Sequence, residues 1–446
     1  MQNQKTDLRP RGSLNRRHFI AKSAAAIVLP LILPGCATSQ GFRPRPSNRI
    51  NLGVIGMGWQ GPGNTQSFLA ETDCQVVAAC DLDANHLQTA LNLVNDHYQN
   101  KDCKGYHDYR ELLAREDIDA VMIAVLDHWH ALVATEAAGQ KKDVYGEKPL
   151  AHTIAEQQAI VRAVQNDKII WQMGSWQRSQ ASFRKAAEIV RNGLIGEVTH
   201  VEVGLPGGHA DFANTGQFTQ ITESPPELDY NMWIGPSKME PYIKARSHKN
   251  WRWNYNTGGG QLLDWIGHHC DVAHWGLGFD RSGPSEIEGH GDFPAADAVW
   301  NTCTKYRIEL KYPQDITMTI AGGYDDIKGG TKWIGTDGWV WVDRGGFDGS
   351  NPEWKKGKNL PEELRKVKLY ASSNHQRNFL DCVKSRQPTI TPVETGHHSA
   401  IPGHLGLISM LTGRKIRWSV KHEKIIDDAE ASKLLTRPYR APWQLK

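Results

Sequence analysis

The sequence predicts an α/β protein of two domains, a doubly wound parallel sheet followed by an α+β domain with an open, mainly antiparallel sheet. Short apolar, β-branched segments alternate with helical patterns in the first part, and the first segment ends in glycines. Strand patterns with one polar face replace this alternation in the second part. The length of 446 residues agrees with two domains, because one core of ordinary size does not hold so long a chain.

The first 47 residues are expected to be a targeting segment and linker rather than part of the fold. Arg16 and Arg17 precede an apolar run at 24–33, which is shorter than the roughly 20 residues that a membrane span needs. The twin arginines resemble the twin-arginine export signal, so we expect a periplasmic protein; a disordered basic tail is the alternative. Residues 33–36 resemble a lipobox that would place a lipid anchor on Cys36, although Pro34 departs from the usual pattern.

Composition excludes some partners and leaves others open. Fifty-two basic and 49 acidic side chains give a formal charge of +3 without a long basic stretch, so nucleic acid is not an expected partner. The 16 Trp residues suit either a core or the apolar faces of sugar rings. The six cysteines after Cys36 form no zinc-ligand spacing, and we expect them to be buried thiols in a protein without a structural metal.

Each predicted element follows from a local pattern of apolar and turn residues. The predicted strands are 50–55, 75–80, 119–125, 197–205, 306–312, 316–321, 331–335 and 339–342, and the predicted helices are 86–97, 109–115, 130–138, 154–166 and 183–192. The stretch 206–258 is rich in Pro, Trp, Asn and Gly, and its aromatic residues predict an ordered loop rather than a linker. We place the first domain at 48–172 and the second at 173–446.

A glycine-rich turn follows the first strand and precedes a helix. The sequence there is Gly56-Met57-Gly58-Trp59-Gln60-Gly61, and Asp81 ends the second strand about 20 to 25 residues later. Glycines at this place let the backbone approach a pyrophosphate at the helix N-terminus, and the carboxylate accepts hydrogen bonds from a ribose 2′-OH. The pattern predicts a Rossmann domain that binds NAD rather than NADP; a glycine turn with a capping Asp is the alternative.

Two polar clusters lie at the carboxyl ends of later strands, the edge where open α/β sheets bind ligands. They are Asp127-His128-Trp129-His130 and Glu147-Lys148-Pro149. The ammonium of Lys148 would stabilise negative charge on a reacting oxygen, and a solvated surface charge is the alternative. The predicted cofactor contacts are Gly56, Met57, Gly58, Trp59, Gln60, Gly61, Asp81, Asp127, His130, Glu147, Lys148 and Arg178.

The segment 258–274 carries a candidate acid–base pair. If it is helical, Asp264 and His268 lie four residues apart on one face, where the carboxylate could raise the basicity of the imidazole and orient it. A metal site formed with Asp271 and His274 and a structural network remain alternatives. Candidate substrate contacts are Trp251, Arg252, Trp253 and His269.

Together these motifs resemble the glucose-fructose oxidoreductase/inositol dehydrogenase/rhizopine catabolism (Gfo/Idh/MocA) family over nearly all of the mature chain. The segments that carry the resemblance are 56–61, DAVMIAVLDHWH, DVYGEKPL and GGGQLLDWIGHH. The C-terminal segments at 395–400, 413–415 and 437–440 resemble an exported bacterial branch of this family. The resemblance implies an NAD-dependent enzyme acting on a sugar hydroxyl, with Lys148 near the nicotinamide and His268 as proton acceptor. It also implies dimers or tetramers paired through the open sheets.

Export of such an enzyme implies that NAD is bound before transport and held tightly. The trapped cofactor would be recycled by a second substrate in a sugar or glycoside dehydrogenase, acting at C3 by resemblance to some relatives. The alternative is a glycosidase that oxidises C3 transiently and then reduces it again. A non-catalytic sugar-binding lipoprotein is a third and weaker hypothesis, because it requires the three matched motifs to be accidental.

Overall fold

The first layer of the protein is a six-stranded parallel sheet in the order β3-β2-β1-β4-β5-β6. The computed structural model describes residues 48–313 and 315–445, so the predicted export signal and Cys36 lie outside the described residues. Its strands are Ile50–Ile55 (β1), Cys74–Cys80 (β2), Lys104–Tyr106 (β3), Ala120–Ile123 (β4), Asp143–Gly146 (β5) and Trp171–Met173 (β6). Its helices are Gln60–Leu69 (α1), Ala84–Tyr98 (α2), Tyr109–Leu113 (α3), His130–Gly139 (α4) and Ile154–Asp167 (α5). The sequence prediction of a doubly wound parallel sheet is confirmed.

Capping residues fix where two of these helices begin. Asp83 accepts the Asn85 and His86 N–H groups at the start of α2, and Thr153 accepts the Glu156 N–H group at the start of α5. At α1, by contrast, the preceding Trp59 makes no side-chain cap. The free N–H groups of α1 therefore lie at the end of β1.

The second layer is a nine-stranded sheet in the order β13-β12-β11-β7-β10-β9-β8-β14-β15. Its strands are Val198–Leu205 (β7), Glu286–Asp292 (β8), Lys305–Lys311 (β9), Thr317–Gly322 (β10), Gly330–Gly335 (β11), Trp339–Asp343 (β12), Gly346–Gly349 (β13), Ile416–Ser419 (β14) and Lys424–Ile425 (β15). The β7–β10 pair is parallel and the other pairs are antiparallel, which confirms the predicted mainly antiparallel sheet.

The second part of the chain also forms helices. They include Ala181–Arg191 (α6), Tyr230–Ile234 (α7), Gly260–Leu277 (α8), His375–Ser385 (α9), Val393–Thr412 (α10) and Ala429–Lys433 (α11). Side chains of α6, α8 and α10 share a buried core with the sheet, among them Phe183, Ile266, Leu405, Ile308 and Trp333. This core holds α8, which carries the predicted acid–base pair, against the carboxyl edge of the first sheet.

The two layers are interleaved along the chain. Helix α9 comes late in the sequence but packs on the first sheet, where the Phe379 ring contacts those of Phe68 and Tyr145. Near the C-terminus, Arg437 donates to Glu156 and to the carbonyl of His128. The chain therefore returns to the first layer twice after the predicted boundary at 172/173.

Two further observations concern the chain as a whole. The six described cysteines are buried free thiols, as the sequence predicted. Within 48–313 and 315–445 no helix is long and apolar enough to cross a bilayer.

Candidate functional site

A cleft of about 850 Å³ lies where the carboxyl edge of the first sheet meets α8 and the loop before it. Most of the predicted site residues line this cleft. They are Gly56, Gly58, Trp59, Gln60, Asp81, Asp127, Glu147, Lys148, Trp251, Arg252, Asp264 and His268. A site that is spread over the sequence from residue 56 to residue 268 is thus brought together by the meeting of the two layers.

The glycine-rich turn has the shape that a dinucleotide needs. Gly56 has a φ of +88°, and a Cβ on it would lie 2.4 Å from the carbonyl oxygen of Ala124. A Cβ on Gly61 would lie 2.0 Å from the Gly56 carbonyl oxygen. The tight turn leads into the uncapped N-terminus of α1, whose N–H groups suit the pyrophosphate of a dinucleotide.

Asp81 lies directly after β2 and lines the cleft. Its carboxylate accepts the N–H of Met57 at 2.6 Å and that of Asp83 at 2.9 Å, which fixes its orientation. Each oxygen keeps a lone pair for a ribose hydroxyl, and the side chain is 12% exposed. The residues present therefore fit the adenosine half of NAD.

A histidine pair flanks Asp81 at the same end of the cleft. Ligand atoms of Asp83, His86 and His248 all lie within 4.8 Å of one another, a spacing that could hold a metal ion. The Nδ1 atom of His86 is 3.6 Å from Asp81, and this contact raises the pKa of His86. The sequence did not predict this group, because His248 is distant in the chain.

Lys148, Arg252 and Asp264 form an ion triad at the other end of the cleft. The Nζ atom of Lys148 lies 2.9 Å from Oδ1 of Asp264 and 3.0 Å from its carbonyl oxygen, and Nε of Arg252 lies 3.1 Å from the same Oδ1. Burial favours the neutral acid, but the charges of Lys148 and Arg252 outweigh it and hold the pKa of Asp264 well below its usual range. Asp264 thus fixes the position of the Lys148 ammonium.

His268 lies one helical turn after Asp264 but does not have the expected partner. Its Nδ1 atom is buried and has no hydrogen-bond partner within the described part of the chain. Burial, followed by the charges of Lys148 and Arg344, lowers the pKa of His268 well below its ordinary value. The charge of Asp264 raises the pKa of His268, as predicted, but burial and the neighbouring cations outweigh this effect. Among the described residues Asp264 makes no hydrogen bond to the imidazole that would orient it, because its carboxylate is bound by Lys148 and Arg252. The imidazole lines the cleft.

Two further carboxyl groups of the predicted set are buried beside the triad. Burial, and then the charge of Asp264, raises the pKa of Asp127 to about 7. Glu147 accepts a hydrogen bond from the side chain of Asn64 at 2.9 Å, and burial raises its pKa as well. Both groups line the cleft, but neither has a cation within salt-bridge distance among the described residues.

Two predicted cofactor contacts have other roles. Arg178 is 2% exposed, and its guanidinium forms ion pairs with Asp271 and Asp280 at 2.8 and 2.7 Å. The ring nitrogens of His130 lie 2.6 and 3.1 Å from backbone carbonyls, and burial lowers its pKa to about 4. Neither residue lines the cleft, and the two side chains are bound inside the protein, so the cofactor contacts expected of them stay predictions.

Two predicted substrate contacts are also structural. The Trp253 ring is fully buried and donates from Nε1 to the carbonyl of Ala210. His269 is buried, stacks on Trp265 and lies 3.4 Å from Asp343. Both lie away from the cleft lining. Their neighbours Trp251 and Arg252 line the cleft, which is consistent with the substrate role predicted for them.

Met57 and Gly61 shape the glycine turn without lining the cleft. Met57 acts through its N–H group, which binds Asp81, and Gly61 through the absence of a side chain. The alternative metal site in α8 does not form, because Asp271 binds Arg178 and His274 binds the hydroxyl of Tyr312.

Residues 206–258, here named the cover segment, close one side of the cleft. Backbone hydrogen bonds fasten it to the first layer, from Ala84 N–H to the Glu227 carbonyl and from Asp229 N–H to the Leu82 carbonyl. Its Phe212 ring lies 4.9 Å from that of Trp59 in the glycine turn. The sequence prediction of an ordered loop is confirmed, since the segment buries an apolar cluster of its own.

Sequence reasoning missed Trp176, Trp265 and Arg344, which line the cleft. They surround His268 at the end that holds the ion triad, which is named the substrate end below. The two Trp residues were visible as aromatic residues near the predicted motifs. Arg344 gave no local signal, because it lies in a turn of the second sheet far from any motif.

Comparison with known proteins identifies the family. Residues 50–175 match a family model described as the NAD-binding Rossmann fold of an oxidoreductase family, and residues 179–445 match the C-terminal alpha/beta domain of the same family. The chain belongs to the Gfo/Idh/MocA oxidoreductase family. Its first layer is accordingly an NAD-binding Rossmann domain, as the glycine turn and Asp81 predicted.

Individual members of the Gfo/Idh/MocA family resemble the chain over part of their length. A glycosyl hydrolase family 109 protein 2 from Shewanella sp. (strain ANA-3) is 29% identical over 209 residues, 42% of this chain and 45% of that protein. An inositol 2-dehydrogenase from Salmonella typhimurium (strain LT2) is 34% identical over 151 residues, 33% of this chain and 43% of that protein. The matched part of the chain thus spans less than half the length of each of these two relatives.

Solved structures share the fold over most of the chain. The WlbA dehydrogenase from Bordetella pertussis, solved with NADH and UDP-GlcNAcA, has a TM-score of 0.62 at 15% identity and covers 83% of this chain and 99% of its own. The aldose-aldose oxidoreductase from Caulobacter crescentus, solved with glycerol, has a TM-score of 0.58 at 18% identity and covers 83% and 99%. These likenesses establish the two-layer fold.

Proposed function

We propose that the protein is an NAD-dependent dehydrogenase that oxidises a hydroxyl of a sugar or glycoside, with C3 as the oxidised carbon and the cofactor tightly bound. The observation that carries the proposal is the placement of the Lys148 ammonium, held by Asp264, beside His268 in a cleft that also contains the glycine turn. The similarity to an inositol 2-dehydrogenase supports a polyol or sugar substrate.

The residues of the cleft would divide the work of alcohol oxidation. Bound NAD would accept a hydride from the carbon. The neutral imidazole of His268 would take the hydroxyl proton, because its lowered pKa keeps it unprotonated at neutral pH. The Lys148 ammonium would stabilise the negative charge that develops on the oxygen, and Asp264 would position that ammonium through its hydrogen bond.

The test is to add sugars and glycosides to purified protein that contains its cofactor. We expect a keto sugar two hydrogens lighter than the substrate, with the NADH absorbance band rising until an acceptor is added. The His268→Ala variant should keep bound NAD and lose turnover. A fully active His268→Ala variant would show that His268 is not the proton acceptor.

A second candidate function is an NAD-dependent glycosidase. The similarity to glycosyl hydrolase family 109 proteins favours it. In the proposed cycle, oxidation of C3 would acidify the proton on C2 and allow elimination of the aglycone. Addition of water and return of the hydride would then complete the cycle without net oxidation. Nitrophenyl glycosides separate the two functions: release of nitrophenol without accumulated NADH or keto product would establish the glycosidase.

We also propose that the protein is exported through the twin arginines at 16 and 17, lipidated at Cys36 and assembled into a dimer or tetramer through its open sheet. Replacing both arginines by Lys should leave the protein in the cytoplasmic fraction. Light scattering of the purified protein reports the oligomer, and a monomer would contradict the proposed assembly.

A further inference from the structure

Arg344 lies in the turn between β12 and β13 and faces the substrate end of the cleft. Its guanidinium carbon is 4.4 Å from the centroid of the Trp265 ring and 4.8 Å from that of Trp176. The His268 ring centroid lies 5.6 Å and 6.3 Å from the same two Trp rings. The two aromatic rings therefore place a cation beside the candidate proton acceptor.

The guanidinium of Arg344 has no protein acceptor. Within the residues that the structure describes, it makes cation–π contacts with the two Trp rings but no hydrogen bond or ion pair. The adjacent Asp343 acts on Arg344 electrostatically without a hydrogen bond to it, and its carboxylate lies 3.4 Å from His269. Stacking on aromatic rings uses the faces of a guanidinium and leaves the N–H groups in its plane available to a ligand.

The charges at this end of the cleft are not balanced. Lys148, Arg252 and Arg344 supply three cations, whereas the carboxylate of Asp264 is shared by the first two and that of Asp343 is the second anion that acts on Arg344. Asp127 compensates only partly, because its pKa of about 7 leaves much of it protonated at neutral pH. A substrate with a negative group would satisfy Arg344 and balance this charge.

We propose that the substrate carries a carboxylate, as a uronic acid or its glycoside does, and that Arg344 binds this group while the reacting hydroxyl lies between Lys148 and His268. A carboxylate is planar and accepts two parallel N–H donors, which matches the fork of a guanidinium stacked on aromatic rings. This inference rests on the proposed oxidation of a sugar hydroxyl and specifies its substrate class.

Binding tests the inference separately from catalysis. Calorimetry on the NAD-containing protein would compare three uronates, glucuronate, galacturonate and mannuronate, each with its neutral hexose, and would include glucose 6-phosphate. We expect at least one uronate to bind about tenfold or more tightly than its hexose. Equal binding within all three pairs would overturn the inference. Tighter binding of glucose 6-phosphate than of every uronate would also overturn it and would show that the site binds a phosphate rather than a carboxylate.

Variants of Arg344 assign the effect to the guanidinium. Arg344→Gln should weaken the preferred uronate about tenfold or more and leave the hexose unchanged, while Arg344→Lys should keep part of the affinity because it retains the charge without the fork. Arg417→Gln, an exposed residue paired with Asp427, is the matched control. Equal loss for uronate and hexose in Arg344→Gln would contradict a carboxylate contact.

Turnover distinguishes failure of the inference from failure of the proposed function. If a uronate binds through Arg344 but neither uronates nor neutral sugars reduce the cofactor, the proposed dehydrogenase is wrong and the carboxylate site stands. If neutral glycosides are oxidised and Arg344→Gln leaves their kinetics and the uronate affinity unchanged, the dehydrogenase stands and the carboxylate site is wrong.

Discussion

The carboxylate of Asp264 accepts hydrogen bonds from Lys148 and Arg252 on the same oxygen. Charge-assisted bonds of this kind restrict a flexible lysine side chain far more than solvent does. The ammonium of Lys148 is therefore held at one place in the cleft before any substrate enters, which favours stabilisation of charge that appears only during the reaction.

Replacing Lys148 by Met should lower the turnover of the proposed reaction by about a hundredfold or more, because the charge that stabilises the reacting oxygen is lost. Arg252 still pairs with Asp264, so the fold and NAD binding should persist. Single-turnover reduction of bound NAD measures the change. Lys356→Met, at an exposed lysine paired with Glu353, is the control. A Lys148→Met variant that keeps a tenth or more of the original rate would contradict the role of Lys148.

Asp127 makes the stability of the cofactor-free protein depend on pH. Its folded-state pKa of about 7 lies above the value of about 4 for an unfolded Asp, so the folded protein binds the extra proton between these values. The contribution of Asp127 to stability should therefore fall as the pH rises from about 4 to 7, by up to about 1.4 kcal/mol per unit. Buried histidines with a lowered pKa, such as His130, contribute with the opposite sign in part of the same range.

Urea unfolding at several pH values measures this slope. Asp127→Asn should remove the falling contribution, so that its stability relative to the unchanged protein rises from pH 4 to 7, whereas Asp326→Asn, at an exposed residue paired with Arg307, should show no such change. An unchanged slope in Asp127→Asn would show that another group binds the proton.

Single residues of the site were predictable where a local motif carries them. Lys148 and His268 follow from short segments, and both line the cleft. The partner of Asp264 was not predictable, because the four-residue spacing indicated His268 while the actual partner, Lys148, lies 116 residues away. The ion pairs of Arg178 and the aromatic contacts of Arg344 depend in the same way on residues brought together only by the fold.

At the scale of elements, the glycine turn and α1 form a unit whose glycines have different roles. A Cβ on Gly61 would lie 2.0 Å from the Gly56 carbonyl oxygen, whereas one on Gly63, in the same helix, would meet nothing within 4 Å. Gly61→Ala should thus force the turn apart and weaken both folding and NAD binding.

Gly63→Ala should raise stability by up to about 1 kcal/mol, since Ala is the better helix former. Thermal unfolding of the two variants, and the amount of NAD that each retains, measure the difference between Gly61→Ala and Gly63→Ala. Equal behaviour of the two variants would contradict the close contact at Gly61.

Strongly patterned elements were predicted closely and others were missed for physical reasons. Strand β1 was predicted at its observed bounds, because its apolar run is continuous. Strand β3 has three largely exposed residues and no apolar pattern. Helix α10 contains Pro402 and several glycines, which predict a break in a helix, but Cβ atoms on Gly403 and Gly406 would lie 2.9 Å from Ile266 and 2.3 Å from Ile308. The glycines that this close packing requires also weaken the helical pattern in the sequence, so the helix was missed.

At the scale of the whole molecule, the C-terminal residues join the first layer to the cover segment. Arg437 is largely buried and binds Glu156, the hydroxyl of Ser237 and the carbonyl of His128. Arg437→Ala should lower the free energy of unfolding by about 3–5 kcal/mol, because it leaves the buried Glu156 without its cation.

The exposed pair of Arg417 and Asp427 provides the comparison. Arg417→Ala should cost less than about 1 kcal/mol. Denaturant unfolding of both variants checks the difference, and similar losses would mean that Arg437 contributes no more than a surface ion pair.

The two attachments of the cover segment have a kinetic consequence. Its backbone is bonded to Leu82 and Ala84 after β2, and its Phe212 ring contacts Trp59 in the glycine turn. A dinucleotide seated there would behave as a prosthetic group, so donor and acceptor sugars would react with it in turn. We expect ping-pong kinetics, seen as parallel double-reciprocal lines, and release of NAD only when the protein unfolds; intersecting lines would show that the cofactor exchanges in every cycle.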